Sequence, residues 1–259
     1  MSVPRPPAIL LAFLLLAGTL GSAPPANAAT VTLPNLKMAH IRDLKIQVVD
    51  GRRLLRFTGL MVNLGAGPFE ARGTRTAGMN YMTIDQRVYN SAGGSAYYPT
   101  RARATYATDG HDHWHVQQIM NYELYNPAAP AGARRGAKLG FCYMDTTPWS
   151  LGLAGAPQAP YYREEWCGTR NSLTSRTGIS VGWGDKYPWN FTLQWIDITG
   201  LPAGTYMLRA TVDQQNFYRE SNNNDNCVWA RITIPSSGGT VGVQQRGSDC
   251  GVESVRSVP

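Results

Sequence analysis

The chain has 259 residues, of which 43% are hydrophobic and 16% are charged, so it can bury a substantial core and is not predominantly disordered. Its 27 glycines, 17 prolines and 13 tyrosines favour turns and aromatic-rich strands over long helices, which argues against a helical bundle. The formal net charge of +7 is spread along the chain without a basic block, so no nucleic-acid partner is expected.

The N-terminal segment, residues 1–28, has the three-part pattern of a secretory signal peptide. A single basic residue, Arg5, precedes an apolar run over residues 8–17, and small residues then lead to Ala28. The apolar run is too short to span a membrane, and no second apolar stretch of about 18 residues follows it. The sequence therefore predicts cleavage after Ala28 and a secreted, extracellular protein with no membrane span.

Short apolar segments with strand character follow this leader. They lie at residues 31–36, 44–49, 53–63, 117–125, 139–144, 191–198, 206–212 and 227–234. Because they lack a clear helical period, they predict an all-β chain with one β-sandwich-like domain over residues 29–236. Two stretches rich in Gly, Pro, Asn and Ser, 72–105 and 148–190, are predicted to be long functional loops. The polar tail, residues 237–259, is expected to be loosely held apart from its cysteine.

Four cysteines, Cys142, Cys167, Cys227 and Cys250, remain after the leader. An even number in an exported chain predicts two disulfides. Three pairings are possible, and the preferred one joins sequence neighbours, Cys142 with Cys167 and Cys227 with Cys250, because it closes the shortest loops. A thiolate metal site is disfavoured, since no Cys-x-x-Cys spacing occurs.

Three of the four histidines, His111, His113 and His115, fall within five residues. Alternate residues of a strand face the same side, so the pattern predicts a three-nitrogen metal site. In a straight strand the outer two Cα atoms would lie roughly 13 Å apart, whereas each ligand nitrogen must lie about 2 Å from the metal. The chain must therefore bend here, and Gly110 is the expected place. Asp112 faces the opposite side, which disfavours a two-histidine, one-carboxylate iron site.

Imidazole ligands suit several metals. The usual affinity order favours Cu(II) at an all-nitrogen site with open positions, although three-histidine zinc sites with a bound water also exist. The residues alone leave copper and zinc open.

Five sequence blocks, in order along the chain, resemble the catalytic domain of the lysyl oxidases, which are copper-dependent amine oxidases. They are residues 53–65 (RLLRFTGLMVNLG), the histidine motif with Tyr122-Glu123-Leu124, residues 138–146 (KLGFCYMDT), residues 178–187 (GISVGWGDKY) and residues 194–212 (QWIDITGLPAGTYMLRATV). The chain departs from the animal enzymes in having too few cysteines for their full disulfide set.

This resemblance implies copper held by His111, His113 and His115, and a lysine tyrosylquinone cofactor formed by cross-linking Lys138 to Tyr187. It also makes Asp185 the expected proton-accepting base. The implied reaction is oxidative deamination of primary amines by dioxygen to aldehyde, ammonia and hydrogen peroxide, with lysine-containing proteins among the expected substrates. A quinone is needed because no ordinary side chain is electrophilic enough to accept the electron pair.

Two other functions fit the histidine motif. One is a non-catalytic, exported copper-binding protein, and the other is a three-histidine zinc hydrolase. Metal content and peroxide release from amines distinguish them from the amine oxidase.

Overall fold

The computed structural model describes residue 1 and residues 29–236, 240–248 and 250. The predicted signal peptide lies outside the described residues except for Met1, and much of the predicted tail lies outside them too. The boundaries of both segments, and of the domain between them, stay predictions.

Within the described residues the chain forms eighteen β-strands and one short 3₁₀ helix, Glu164–Cys167, and contains no α-helix. The strands are β1 Val31–Thr32, β2 Leu36–Met38, β3 Arg42–Val49, β4 Arg52–Asn63, β5 Phe69–Thr74, β6 Tyr81–Asn90, β7 Ser95–Tyr106, β8 Trp114–Gln117, β9 Met120–Asn126, β10 Ala129–Arg135, β11 Gly140–Phe141, β12 Thr147–Pro148, β13 Thr174–Ile179, β14 Trp183–Tyr187, β15 Trp195–Asp197, β16 Gly204–Val212, β17 Cys227–Ile234 and β18 Gly242–Gly247. The all-β prediction is confirmed. No helix in this part of the chain is long and apolar enough to cross a membrane.

The strands form three antiparallel sheets. The first has the order β11-β8-β7-β6-β5-β13, with β1 also paired to β6. The second has the order β10-β9-β16-β17-β18, and the third has β12-β14-β4-β15, with β2 and β3 also paired to β4. Side chains from all three sheets meet in one hydrophobic cluster that includes Phe57, Phe69, Tyr122 and Leu208.

Several predicted segments differ from the strands that form. Residues 72–105 are not a long loop, because β6 and β7 occupy most of them as a paired hairpin. Residues 148–190 contain β13 and β14, so only their first part is the predicted loop. The tail is not wholly loose either, since β18 pairs with β17. A strand with one solvent-exposed, polar face has no continuous apolar run, so its sequence resembles that of a loop.

Strand β4 lies beside the strand that carries the predicted site residues Asp185 and Tyr187. All of its residues from Leu54 onward are buried or half-buried, as expected for an apolar strand that is covered on both faces. It pairs with β14 in a register that sets Tyr187 opposite Gly59. A Cβ atom on Gly59 would lie 1.9 Å from the Tyr122 hydroxyl, so glycine is required for Tyr122 to pack across this strand pair.

Both preferred disulfides are confirmed, Cys142–Cys167 and Cys227–Cys250. The first joins the residue after β11 to the last residue of the 3₁₀ helix. This link holds the 3₁₀ helix beside the segment that contains Lys138.

Candidate active site

The three clustered histidines meet at a turn that leads into β8. Only His115 lies in β8, so the expectation that all three histidines belong to one bent strand is wrong. A backbone hydrogen bond of 2.8 Å from His113 N to His111 O closes the turn. The expected bend at Gly110 is confirmed, with a φ of 93° that glycine adopts at no steric cost. The ring centroids of His113 and His115 lie 4.8 Å apart, and that of His111 lies 5.8 and 5.5 Å from them.

Two of these rings have nitrogens at a separation that suits one metal ion. The Nε2 atoms of His113 and His115 lie 3.0 Å apart, and two nitrogens bound to one metal at about 2.0 Å lie roughly 2.8–3.3 Å apart for bond angles of about 90–110°. Within the described part of the chain, no three His, Cys, Asp or Glu side chains close around a common point. The site therefore presents a ready pair of ligands, with His111 beside it.

Carboxylates contact the outer nitrogens of two rings. His111 Nδ1 lies 3.0 Å from Asp109 Oδ1, and His113 Nδ1 lies 3.2 Å from Glu164 Oε1. An ionised carboxylate can only accept a hydrogen bond, so each Nδ1 donates and each Nε2 keeps its lone pair. Metal-binding histidines typically have this arrangement.

Burial keeps the histidine pair neutral. Burial lowers the pKa of His115 to about 3, and the nearby Lys138 charge adds to the shift. Burial also lowers the pKa of His113, although Glu164 opposes it. Both rings are therefore uncharged near neutral pH, the form in which imidazole binds a metal.

The two residues expected to form the quinone lie close to each other. Lys138 is 2% exposed, and its Nζ lies 5.7 Å from the ring centroid of Tyr187. Lys138 lies in the loop two residues before β11, which pairs with β8, while Tyr187 ends β14 in a different sheet. The Tyr187 hydroxyl donates a 2.9 Å hydrogen bond to the Cys142 carbonyl oxygen, and its ring packs edge-on against Phe141.

The Lys138 ammonium is poorly solvated. Its Nζ has no hydrogen-bond partner in the described residues, and the nearest carboxylate oxygen there, Asp109 Oδ2, lies 3.7 Å away. Burial lowers the pKa of Lys138 against the opposing charge of Asp109. The amine is thereby shifted toward its neutral, nucleophilic form.

Asp185 lies on β14 two residues before Tyr187, on the same face of the strand. It is 2% exposed, and burial raises its pKa to about 7 despite hydrogen bonds that lower it. One of these comes from the Thr146 hydroxyl, which donates to Oδ1 at 3.2 Å, whereas Oδ2 has no partner among the described residues. A carboxyl group that titrates near neutral pH suits a general base.

Three residues at the site were not predicted from the sequence: Asp109, Glu164 and Phe191. Phe191 is 39% exposed, and its ring centroid lies 6.4 Å from those of both His111 and Tyr187. Asp109 could have been suspected from its place at the head of the histidine motif. Glu164 and Phe191 carry no such signal, because their contacts depend on the fold.

Comparison with known proteins places these residues in a family context. The family model described as lysyl oxidase matches residues 74–243, a range that includes every site residue named above. The chain is 30% identical to protein-lysine 6-oxidase of Gallus gallus over 150 residues, which are 57% of this chain and 32% of that protein.

Two other relatives give similar values. Identity is 29% with protein-lysine 6-oxidase of Sus scrofa over 154 residues, covering 58% of this chain and 55% of that protein. Identity is 31% with lysyl oxidase homolog 1 of Homo sapiens over 154 residues, covering 58% of this chain and 24% of that protein. The matched region thus spans between about a quarter and about half of these relatives' length.

Proposed function

Because the chain belongs to the lysyl oxidase family, we propose that it is a secreted, copper- and quinone-dependent amine oxidase. It oxidises primary amines, among them lysine side chains of proteins. The reaction consumes one amine, one dioxygen and one water, and yields one aldehyde, one ammonia and one hydrogen peroxide.

One observation carries this proposal: neutral histidine nitrogens and a lysine–tyrosine pair lie together in one buried region. The Nε2 atoms of His113 and His115 are 3.0 Å apart, and Lys138 Nζ is 5.7 Å from the Tyr187 ring centroid. A copper-storage protein would need the histidines but would have no use for a desolvated lysine beside a tyrosine ring.

The residues present fit the two groups that the family implies. His111, His113 and His115 would hold copper, and Lys138 and Tyr187 would become the lysine tyrosylquinone. Bound copper would allow dioxygen to oxidise the tyrosine ring, and the resulting quinone would supply the electrophilic carbonyl that an amine attacks.

The chain's own residues would bind the amine and move its protons. Asp185 lies beside Tyr187 and, with its pKa raised by burial to about 7, can accept a carbon-bound proton when ionised. The partly exposed Phe191 ring has its centroid 6.4 Å from those of both His111 and Tyr187, so it would limit the access of water to the space between them. Since the whole chain carries +7, either local carboxylates such as Asp185 and Glu164 attract the cationic amine, or the amine binds in its deprotonated form.

The experiment is to load apo protein with Cu(II) in air, trap the product with a hydrazine and digest it. A peptide that joins Lys138 to Tyr187 is expected, together with stoichiometric peroxide release from a primary amine. Absence of both, with copper tightly bound, would identify a non-catalytic copper protein. Stoichiometric zinc after copper-replete growth would favour the hydrolase instead.

The chain offers a matched control next to the tyrosine. Lys186 is exposed and directly precedes Tyr187, so Lys186→Ala should leave the cross-link intact. Lys138→Ala should abolish it without loss of copper. Equal loss in both variants would contradict the assignment of Lys138.

A further inference from the structure

Asp109 lies between the candidate copper site and the candidate cofactor lysine. Its Oδ1 atom is 3.0 Å from Nδ1 of His111, and its Oδ2 atom is 3.7 Å from Nζ of Lys138. The two oxygens of one carboxylate therefore face one residue from each half of the site. The side chain of Asp109 is 16% exposed and that of Lys138 is 2% exposed, so solvent screens this contact only weakly.

The contact on the histidine side fixes how the His111 ring is turned. The carboxylate accepts the Nδ1 hydrogen, which leaves Nε2 as the nitrogen that can bind a metal. The same Oδ1 atom lies 3.4 Å from the backbone N of His111, so the carboxylate also braces the turn that precedes β8.

On the lysine side, Asp109 is the closest oppositely charged group to Lys138 among the described residues. A buried ammonium without a partner would be costly, and its flexible four-carbon stem would be free to turn away. With Asp109 in place, Nζ stays on the side of Lys138 that faces the Tyr187 ring. Burial tends to raise the pKa of Asp109, but the His111 hydrogen bond and the Lys138 charge bring it below its usual value.

We propose that Asp109 is a positioning residue that aligns His111 for copper and holds Lys138 beside Tyr187 for cross-linking. The claim about Lys138 rests on the proposed function, whereas the claim about His111 concerns copper binding alone. Copper binding and cofactor formation are then coupled through a single carboxylate. Among the described residues, Glu164 forms an ion pair with His113 and none with a lysine, so it has no such double role.

The test compares four variants of the full chain: Asp109→Ala, Asp109→Asn, Glu164→Ala and Asp112→Ala. Copper affinity is measured by competition with a chelator, the copper environment by electron paramagnetic resonance, and cross-linking by intact mass and peptide mapping at saturating copper in air. Asp112 is exposed in the same turn, which makes it the matched control.

Asp109→Ala is expected to weaken copper binding about 10- to 100-fold, to alter the resonance spectrum, and to slow cross-linking about 10-fold or more even when copper saturates the site. Asp109→Asn keeps an acceptor for His111 and loses the charge that faces Lys138, so copper affinity should stay within a fewfold of the parent while cross-linking slows. Asp112→Ala should change neither. Glu164→Ala should weaken copper binding but slow cross-linking at saturating copper less than Asp109→Ala.

The outcomes separate this inference from the proposed function. If the parent protein forms the cross-link and Asp109→Ala forms it at the same rate with unchanged copper affinity, the role of Asp109 is overturned and the proposed function stands. If the parent forms no cross-link, the proposed function and the lysine half of the inference fail together. The copper measurement then decides the histidine half: weaker binding in Asp109→Ala supports it, and unchanged binding overturns it.

Discussion

Two buried polar clusters in this chain differ in how completely their charges are partnered. Glu70 is fully buried and accepts hydrogen bonds from Arg72, Arg176, Tyr89 and Tyr162. These partners outweigh the effect of burial and lower its pKa. For three groups at the candidate site, by contrast, the effect of burial outweighs that of their partners. The pKa of Asp185 therefore rises, while those of Lys138 and His115 fall.

The difference separates a structural cluster from a reactive one. A buried charge with a full set of partners stays ionised and holds neighbouring strands together. Buried groups that lack partners are pushed toward their neutral forms, which are the forms that bind a metal, attack a quinone or exchange a proton near neutral pH. Changes at the Glu70 cluster should therefore affect stability, and changes at the site should affect chemistry.

Tyr187→Phe is the sharpest test of this comparison. Removal of one hydroxyl should lower amine oxidation about 1,000-fold or more, because the quinone can no longer form. In the copper-free precursor, before any cross-link forms, stability should fall by only about 0.5–1.5 kcal/mol, the net value of the hydrogen bond to the Cys142 carbonyl. Peroxide release and urea unfolding measure the two effects. Residual activity above about one tenth of the parent would exclude Tyr187 as the cofactor precursor.

Glu70→Gln should have the opposite profile. Loss of the charge leaves Arg72 and Arg176 without their carboxylate partner, and the free energy of unfolding should fall by about 2–4 kcal/mol, discounted for the partial exposure of both arginines. Copper content and turnover per folded molecule should be unchanged. Glu165→Gln, at an exposed position in the 3₁₀ helix, is the control and should not alter stability. A loss of copper in Glu70→Gln would contradict the division between the clusters.

The sequence predicted the buried apolar strands but not the strands with a polar, exposed face. The strands at residues 53–63, 206–212 and 227–234 were predicted correctly because their buried positions carry apolar side chains. Strands β6 and β7 were missed, since their outer face is polar and arginine-rich and resembles a loop in composition. Disulfide pairing was predictable from loop length.

Within the site, sequence patterns could identify residues but not their spatial relations. His111, His113, His115, Lys138, Tyr187 and Asp185 came from a motif and a family resemblance, and their roles stay predictions. The turn that brings the histidines together depends on the φ angle of Gly110 and on backbone hydrogen bonds. Glu164 reaches His113 because the Cys142–Cys167 disulfide anchors the 3₁₀ helix, a three-dimensional constraint that spacing alone does not encode.

Asp185→Asn should stabilise the apo precursor protein in a pH-dependent way. The folded-state pKa of about 7 lies above the ordinary aspartate value, so the folded protein keeps a proton that the unfolded chain has already lost, and stability falls as pH rises toward 7. Asparagine mimics the protonated acid and avoids this loss. The variant should gain about 1–3 kcal/mol over the parent at pH 8 and little at pH 4, as measured by urea unfolding.

The control for this effect is Asp112→Asn at an exposed position, where the same substitution should change stability by less than about 0.5 kcal/mol. In the copper-loaded, cross-linked parent, kcat/KM should rise with pH around 7 as Asp185 ionises, and this limb should be missing in Asp185→Asn. A stability difference that is the same at pH 4 and pH 8 would show that Asp185 is already ionised in the folded protein.

Phe191→Ala should have the smallest effect and should act on selectivity alone. The ring contacts both His111 and Tyr187 and is partly exposed, so its removal opens the site without taking away a ligand or a reacting atom. The ratio of kcat/KM for a lysine-containing peptide to that for a small alkylamine should rise about three- to tenfold. Tyr97→Ala, at an exposed aromatic on β7, should leave the ratio unchanged. Equal changes for both amines would show that Phe191 supports the site's structure and does not select its substrates.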